Sequence, residues 1–295
     1  MTEHIEQREQ SAIGHEMGTD VGAQHYGKRR RISSTLIAGL TIVVLMVAVA
    51  LLAPFLATHD PIAQDLENQL AAPSLAHFLG TDHLGRDVWS RLVYGARTDL
   101  RIGFFAALAP ALAGTVIGAV VGFSGGRLEW LTMRIADCLI AFPFYLVVLI
   151  VVFAFGSGEA GIYIAFALVG WVPYARVLSA GTADCRRREW AVAAHAAGLG
   201  RARIIAVHIL PNVIAQPLVI FVSDMVYVIV AIITLGYLGL GIQPPTPDWG
   251  SMIADGQSFV TTLWWVPVIP GLAVVFTGIG LSLLADGIAE LLRLE

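Results

Sequence analysis

In this chain of 295 residues, 57% are hydrophobic and only 14% are charged, whereas soluble domains carry about 25% charged residues, so a water-soluble globular fold is excluded. The formal net charge of −4 is small for this length, which argues against a nucleic-acid partner and against an acidic substrate. The two cysteines lie far apart and suggest neither a metal knuckle nor a redox pair, and the implied solvent is the lipid bilayer.

The chain begins with a polar segment, residues 1–31, that ends in a run of basic residues. We predict a cytoplasmic tail without fixed structure; three widely spaced histidines, His4, His15 and His25, leave a metal-binding tail as an alternative. Residues 32–57 form an uncharged run of 26 residues, long enough to cross about 30 Å of hydrocarbon. This run predicts the first membrane-spanning helix, because it exceeds the apolar core of about 7–15 residues in a cleaved secretion signal.

Five further apolar stretches follow in the rest of the chain. Before them, residues 58–101 are predicted to form an extracytoplasmic segment that includes a helix lying at the membrane interface. Together with the first span, the stretches predict an all-α membrane protein of six transmembrane helices, five of them in a core over residues 102–291. The stretches are residues 102–126, 138–158, 160–175 with a continuation towards Ala183, 213–241 and 266–285.

Basic residues predict the orientation of these helices. With the N-terminus inside, 14 of the 18 basic residues face the cytoplasm, in agreement with the positive-inside rule, and the other four lie in residues 58–101. We therefore predict that both termini are cytoplasmic. The loop at residues 242–265 is then extracytoplasmic, and its tryptophans are expected to anchor it in the headgroup zone.

Two features inside the predicted spans indicate packing and polar function. Gly114, Gly118 and Gly122 recur every four residues on one helix face, which predicts close packing against a helix of this chain or of another subunit. Asp224 lies deep in the fifth span, where a carboxylate needs a protein or water partner. Asp224 has two possible roles: a polar site on the pathway or between subunits, or a hydrogen bond within the helix bundle.

The longest predicted cytoplasmic loop, residues 184–211, carries structure of its own. The spacing predicts a short helix over residues 188–197, a turn bracketed by Gly198 and Gly200, and a second short helix over residues 201–210 that a proline ends. Two small helices joined by a glycine turn form a compact knob suited to a socket on another protein.

The sequence of this knob, REWAVAAHAAGLGRARIIAVHILPN, resembles the cytoplasmic coupling loop, called the EAA loop, of binding-protein-dependent ABC importer permeases. Val192 stands where the family pattern has a glutamate, and Glu189 lies one helical turn earlier. The resemblance implies that the loop sits in a cleft of an ATPase subunit and couples that subunit to the membrane-spanning helices of this chain. The residues that match the pattern are Ala193, Ala194, Gly198, Ile209, Leu210 and Pro211.

Two further stretches narrow the resemblance to one subfamily. LGTDHLGRDVWSRLVYGARTDLRIG, residues 79–103, and YLGLGIQPPTPDWGSMIADG, residues 237–256, are similar to the second permease type of dipeptide, oligopeptide and nickel importers. The resemblance implies the type I ABC importer permease fold, a bacterial inner-membrane location, and peptide as cargo, with nickel or another small solute as the alternative. The implied partners are a homologous second permease, two ATPase subunits or domains, an extracytoplasmic substrate-binding protein and membrane lipid, without nucleic acid. For the loop at residues 242–265, the resemblance implies a docking surface for the substrate-binding protein as the alternative to an interfacial anchor.

No residue is predicted to be catalytic or to bind a metal, and no cofactor is expected on the chain, because ATP and Mg²⁺ are expected on the ATPase partners. The single lysine, Lys28, is followed by Arg29, so the phosphate-binding run G-x-x-x-x-G-K-[ST] is absent. The zinc motif H-E-x-x-H is absent as well, which disfavours a membrane-embedded enzyme. A stand-alone secondary transporter needs paired acidic groups or a broken helix near the midplane, and Asp224 alone is thin support for it.

Overall fold

A computed structural model describes residues 33–292 of the chain. The predicted N-terminal tail, residues 1–31, and Arg293 lie outside the described residues. Between residues 33 and 292 the secondary structure is helical, and this range contains no β-strand. The helices are α1 Ser34–Leu56, α2 Val88–Ser124, α3 Gly126–Ile140, α4 Phe144–Phe155, α5 Glu159–Val169, α6 Trp171–Arg186, α7 Glu189–Ala196, α8 Arg201–Arg203, a π-helical segment Ile204–Ile209, α9 Leu210–Val213, α10 Ala215–Tyr237, α11 Trp249–Gly256 and α12 Trp265–Leu292.

Five helical stretches are long and apolar enough to cross a membrane: α1, α2, α5 together with α6, α10 and α12. The pair α3 and α4 also meets this criterion, but the two helices are bent by 87° at the break between them. The span predicted over residues 138–158 corresponds to the end of α3 and the whole of α4, and it is not one continuous helix. Helix α3 ends at Ile140, and Pro143 caps the start of α4, because proline has no N–H to continue the hydrogen-bond ladder. The count of six spans holds when the bent pair is taken as one.

Helix α2 is a single helix of 37 residues, so the separate interfacial helix predicted within residues 58–101 is not observed. Its N-terminal half is the continuation of the span rather than an independent element. Asp87 starts the helix by accepting a hydrogen bond from the backbone N–H of Ser90, at 2.8 Å. Of the charged side chains of this half, Arg91 and Asp99 are buried in protein, whereas Arg97 and Arg101 are exposed.

The chain segment between α1 and α2 is held to the rest of the protein by a buried ion cluster. Arg86 contacts Asp82 through Nε at 2.6 Å and Asp255 of α11 through Nη2 at 2.9 Å. The Nε atom of Arg91 lies 3.5 Å from the same Asp82 carboxylate. Because Arg86 and Asp82 are both buried, each needs the other's charge, and the cluster joins residues 82–91 to α11.

Trp249, in the loop at residues 242–265, is not an interfacial anchor as predicted. Its side chain is 1% exposed, and its indole N–H donates to the backbone oxygen of Leu92 at 3.0 Å. Its backbone N–H donates to Asp99 Oδ2 at 2.9 Å. The indole also lies against Gly95, where any larger side chain would collide with it. Helix α11 is thus packed on α2, and Trp249 is the centre of that contact.

Candidate functional site

The candidate site is the knob formed by residues 189–213, whose first helix is α7. Helix α7 ends in a Schellman motif: the N–H of Gly198 donates to the backbone oxygen of His195 at 3.0 Å, and that of Leu199 to Ala194 at 3.2 Å. Gly198 has φ +82°, a conformation that residues with a Cβ rarely adopt. Gly200 has φ −65° and begins α8. The reversal between the two helices therefore depends on Gly198 and not on Gly200.

The second helix of the knob does not end at Pro211 as predicted. Helical backbone continues from Arg201 through the π-helical segment and α9 to Ile214, which leads directly into α10. The widened turn is explained by Pro211, because a proline can neither donate to the carbonyl four residues earlier nor fit against it. Asn212 donates from Nδ2 to the backbone oxygen of His208 at 2.6 Å, which adds a side-chain hydrogen bond to the same turn. The knob is therefore joined to α10 by helix and not by a flexible linker.

The inner side of the knob is anchored in the bundle. Ile204 and Ile209 are fully buried and pack in one apolar cluster with Leu178 and Cys185 of α6. Burial of one such side chain contributes about 1.5–3 kcal/mol, so these contacts fix the knob to the end of α6.

The outer side of the knob keeps apolar side chains uncovered. Trp190 is 38% exposed, Val192 56% and Val207 58%, at an end of the bundle where arginines are abundant. An apolar surface rimmed by charged residues is typical of a protein interface.

The residues that match the EAA pattern are divided between these two sides. Ile209 is buried, Ala194 and Leu210 are half-buried against the apolar cluster, and Ala193, Gly198 and Pro211 are exposed together with Glu189. Glu189 forms no salt bridge with any residue that the structure describes, so its carboxylate is available to a partner. The pattern thus specifies both an anchor and a contact surface.

A cavity of about 270 Å³ opens between the knob and the end of α2. Val192 and His195 of α7 and Arg201 of α8 line one side of it. Arg186 lines the other side and donates from Nη1 to the backbone oxygen of Phe123 at 2.6 Å, where it caps the C-terminal end of α2. The two arginines make this cavity suitable for an acidic group. Sequence reasoning missed Arg186 and Leu178, because nothing local marks their contacts with residues 123 and 204.

The three glycines of α2 pack against α6 of the same chain, which answers the question of the packing partner. Gly114 faces the backbone of Trp171, Gly118 that of Ala175 and Gly122 that of Ser179. Helix α6 therefore contacts α2 along its length and the knob at its end.

Asp224 of α10 is half-buried and faces the hydroxyl group of Tyr174 on α6. The Tyr174 hydroxyl has no hydrogen-bond partner within residues 33–292.

Within the described residues, the two clusters of three ligand-type side chains both lie at the other end of α2, in residues 59–87 and 255. Helix α2 is about 55 Å long, so these clusters are remote from the knob.

Comparisons with known proteins agree on one family. Residues 114–293 match the family described as binding-protein-dependent transport system inner membrane component, and residues 33–73 match the N-terminal TM domain of oligopeptide transport permease C. The chain is 34% identical over 265 residues to the dipeptide transport system permease protein DppC of Alkalihalophilus pseudofirmus, covering 90% of this chain and 87% of the relative. It is 36% identical over 262 residues to the di/tripeptide transport system permease protein DppC of Pseudomonas aeruginosa, covering 87% and 86%. It is 35% identical over 266 residues to the dipeptide transport system permease protein DppC of Bacillus subtilis, covering 90% and 83%.

Proposed function

The chain belongs to the family of binding-protein-dependent transport system inner membrane components, and on that basis we propose that it is a permease subunit of an ABC importer for di- or oligopeptides. It forms half of the translocation pathway beside a homologous second permease. Relatives that cover most of the chain are named for dipeptide or di/tripeptide transport, which supports peptide as the cargo. The Asp224 and Tyr174 pair supplies polar groups inside an otherwise apolar bundle and is the candidate for a pathway or inter-subunit contact.

The observation that carries the proposal is the two-sided knob at residues 189–213. Its inner side is fixed by Ile204 and Ile209, while its outer side exposes Trp190, Val192 and Val207. Because the inner side of the knob is packed rigidly on the bundle and its outer side is an exposed apolar surface, a second protein that binds the outer side and moves can displace α6 and α10. Since α6 packs along α2, the displacement reaches the centre of the bundle.

The arrangement of the knob supports the following partners. Two ATPase subunits bind ATP and Mg²⁺, and one of them holds the knob of this chain in a cleft. ATP is hydrolysed on the ATPase subunits and not on this chain. The basic cavity beside the knob, with Arg186 and Arg201, receives an acidic group of the ATPase. The knob end of the bundle and both termini are cytoplasmic. A substrate-binding protein docks at the opposite end, on the segments at residues 57–87 and 238–264.

The coupling role is tested with a matched pair of glycine substitutions in the knob. A valine at Gly198 must adopt φ near +82°, which costs about 1–2 kcal/mol or more and displaces the turn. A valine at Gly200 keeps a negative φ, and no atom lies within 4 Å of its Cβ position. We expect G198V to lose most of the peptide-stimulated ATP hydrolysis and uptake of the assembled transporter, and G200V to retain both.

The readouts are uptake of labelled dipeptide into proteoliposomes and ATP hydrolysis in the presence of the loaded binding protein. Co-purification of the ATPase with both variants controls for assembly. Equal activity of G198V and G200V would contradict the coupling role. Uptake by the chain without any ATPase would contradict the ABC importer assignment and favour a secondary transporter.

A further inference from the structure

Two histidines and an aspartate from three separate parts of the chain meet at the junction of α1 and α2. Asp87 Oδ1 lies 2.9 Å from His77 Nδ1 and 3.9 Å from His59 Nδ1. The two imidazole rings are stacked with their centroids 4.6 Å apart and their planes at 29°. The three ligand-type atoms all lie within 4.8 Å of one another. Two ring nitrogens therefore face the same carboxylate oxygen.

The backbone around these side chains is held by further hydrogen bonds. Ser90 Oγ, which is fully buried, accepts from the backbone N–H groups of Thr58 and His59 at 3.1 and 3.0 Å. The backbone N–H of Ser90 donates to Asp87 Oδ2 at 2.8 Å, which leaves Oδ1 of that carboxylate for the imidazoles. These hydrogen bonds to Ser90 fix the backbone of His59 relative to Asp87.

The carboxylate of Asp87 lies at the buried base of the cluster. Its side chain is 1% exposed, whereas the His77 side chain is 19% and the His59 side chain 43% exposed. The cluster therefore has a buried anion at its base and an opening to the surface on the side of His59.

We propose that His59, His77 and Asp87 form a binding site for a divalent transition-metal cation of the Zn²⁺ type, with Nδ1, Nδ1 and Oδ1 as ligands and water at a fourth position. Two imidazoles and one carboxylate are a ligand set that Zn²⁺ accepts with an open fourth position. This site departs from the sequence-based expectation of no metal ligands in the chain.

The distances suit a tetrahedral ion. Bonds of about 2.0–2.1 Å at tetrahedral angles place two ligand atoms about 3.3 Å apart. The distances of 2.9 and 3.9 Å from Asp87 Oδ1 to the two nitrogens bracket this value, so each imidazole has to shift by about half an ångström. On binding, the hydrogen bonds that His77 Nδ1 makes with Asp87 Oδ1 and His59 Nδ1 makes with Thr58 Oγ1, at 2.9 and 3.0 Å, are replaced by bonds to the metal, and each imidazole carries its proton on Nε2.

The neighbouring cluster of Asp82, His83 and Asp255 is a poorer candidate. Both of its carboxylates are already neutralised by Arg86, at 2.6 and 2.9 Å, and a cation there would have to displace that guanidinium. The carboxylate of Asp87 has no arginine or lysine partner within the part of the chain that the structure describes.

A metal at this site links the end of the first span to the start of the second. His59 follows α1 by three residues, and Asp87 caps the N-terminus of α2. The ion therefore stabilises the junction by closing the loop of residues 59–87 with coordinate bonds. We expect bound Zn²⁺ to raise the melting temperature of the transporter and to leave the knob at the other end of α2 unaffected.

The test uses the assembled transporter in nanodiscs, freed of metal with a chelator, in which His4→Gln, His15→Gln and His25→Gln remove the histidines of the N-terminal tail. Zn²⁺ binding is measured by equilibrium dialysis and by the melting temperature, for this background and for the added variants His59→Ala and His83→Ala. His59 is exposed enough that its alanine variant should fold normally, and its melting temperature without metal provides the control.

We expect His59→Ala to lose one Zn²⁺ per chain and to weaken binding by more than the roughly 10–100-fold that loss of an outer-shell partner costs, while His83→Ala binds like the background. Co²⁺ in place of Zn²⁺ should give the intense visible bands of four-coordinate cobalt in the background and not in His59→Ala. Unchanged Zn²⁺ binding in His59→Ala, or its loss in His83→Ala alone, would overturn the proposal.

Discussion

The contact between α2 and α6 predicts that the glycine stripe tolerates no side chain. A Cβ at Gly118 would lie 2.6 Å from the backbone oxygen of Ala175 and 2.7 Å from the Cβ of Leu178, both closer than real contacts allow. Because these neighbours are backbone or Cβ atoms, a side-chain rotation cannot relieve the overlap, and the two helices must move apart. Overpacking of this kind costs about 1–3 kcal/mol, and the better helix propensity of alanine returns about 0.5–1 kcal/mol. We expect G118A to destabilise the protein by about 1–2 kcal/mol.

Gly271 of α12 provides the matched control. It lies within a helix as Gly118 does, but no atom is found within 4 Å of its Cβ position, so G271A should gain about 0.5–1 kcal/mol. The two variants then differ by about 2 kcal/mol, which corresponds to roughly 4–8 °C in melting temperature for a domain of this size. The assay is thermal unfolding of the purified complex in one lipid composition, followed by tryptophan fluorescence. A melting temperature of G118A equal to or above that of G271A would refute the close-packing argument.

Two further predictions separate anchoring from docking and test the loop at α11. We expect Ile204→Ala to lower the free energy of unfolding by about 2–5 kcal/mol, because Ile204 is fully buried. Val207→Ala, at an exposed position, should leave the melting temperature unchanged and weaken co-purification of the ATPase. Equal loss of stability in both variants would contradict the two-sided knob. Asp248 caps α11 by accepting from the backbone N–H of Ser251 at 2.9 Å, and burial raises the pKa of its carboxyl group. A raised pKa means that the stability contributed by the protonated form is complete below the ordinary carboxyl pKa and is lost as pH rises through the raised value. Asp248→Asn retains the cap without the charge, so its melting temperature should match the wild type at acidic pH and exceed it at neutral pH, while Asp248→Ala loses about 1 kcal/mol with the cap; a constant difference between Asn and Asp across pH would argue against this explanation.

Much of the fold could be predicted from the sequence because membrane insertion is governed by local composition. An uncharged run of about 20 residues satisfies its own backbone only as a helix, so residues 32–57 predict α1 to within two residues at each end, and residues 266–285 predict the start of α12, which continues to Leu292. The helix–turn–helix of the candidate knob could also be predicted from the sequence. Gly198 marks the end of its first helix through backbone conformation alone, and the surrounding residues match the pattern of one family.

Predictions failed where the deciding contact joins residues far apart in the chain. The bend at residues 141–143 interrupts an apolar run that is compatible with a straight span. The burial of Trp249 depends on Asp99 and Leu92, about 150 residues earlier, and no local pattern distinguishes it from a tryptophan in the headgroup zone. Pro211 predicts the end of a helix, yet a widened π turn accommodates it, and Ile204 and Ile209 anchor that segment on α6.

Local composition is enough to identify a membrane protein, most of its spans and the short segment that bears the family pattern, because hydropathy, charge and glycine conformation act over neighbouring residues. Helix packing is needed to show that the glycines of α2 face α6, that the knob has an anchored side and a free side, and that His59 and His77 converge on Asp87. Each of these depends on contacts between residues that lie 10 to 57 positions apart in the chain, and such contacts exist only once the helices have packed.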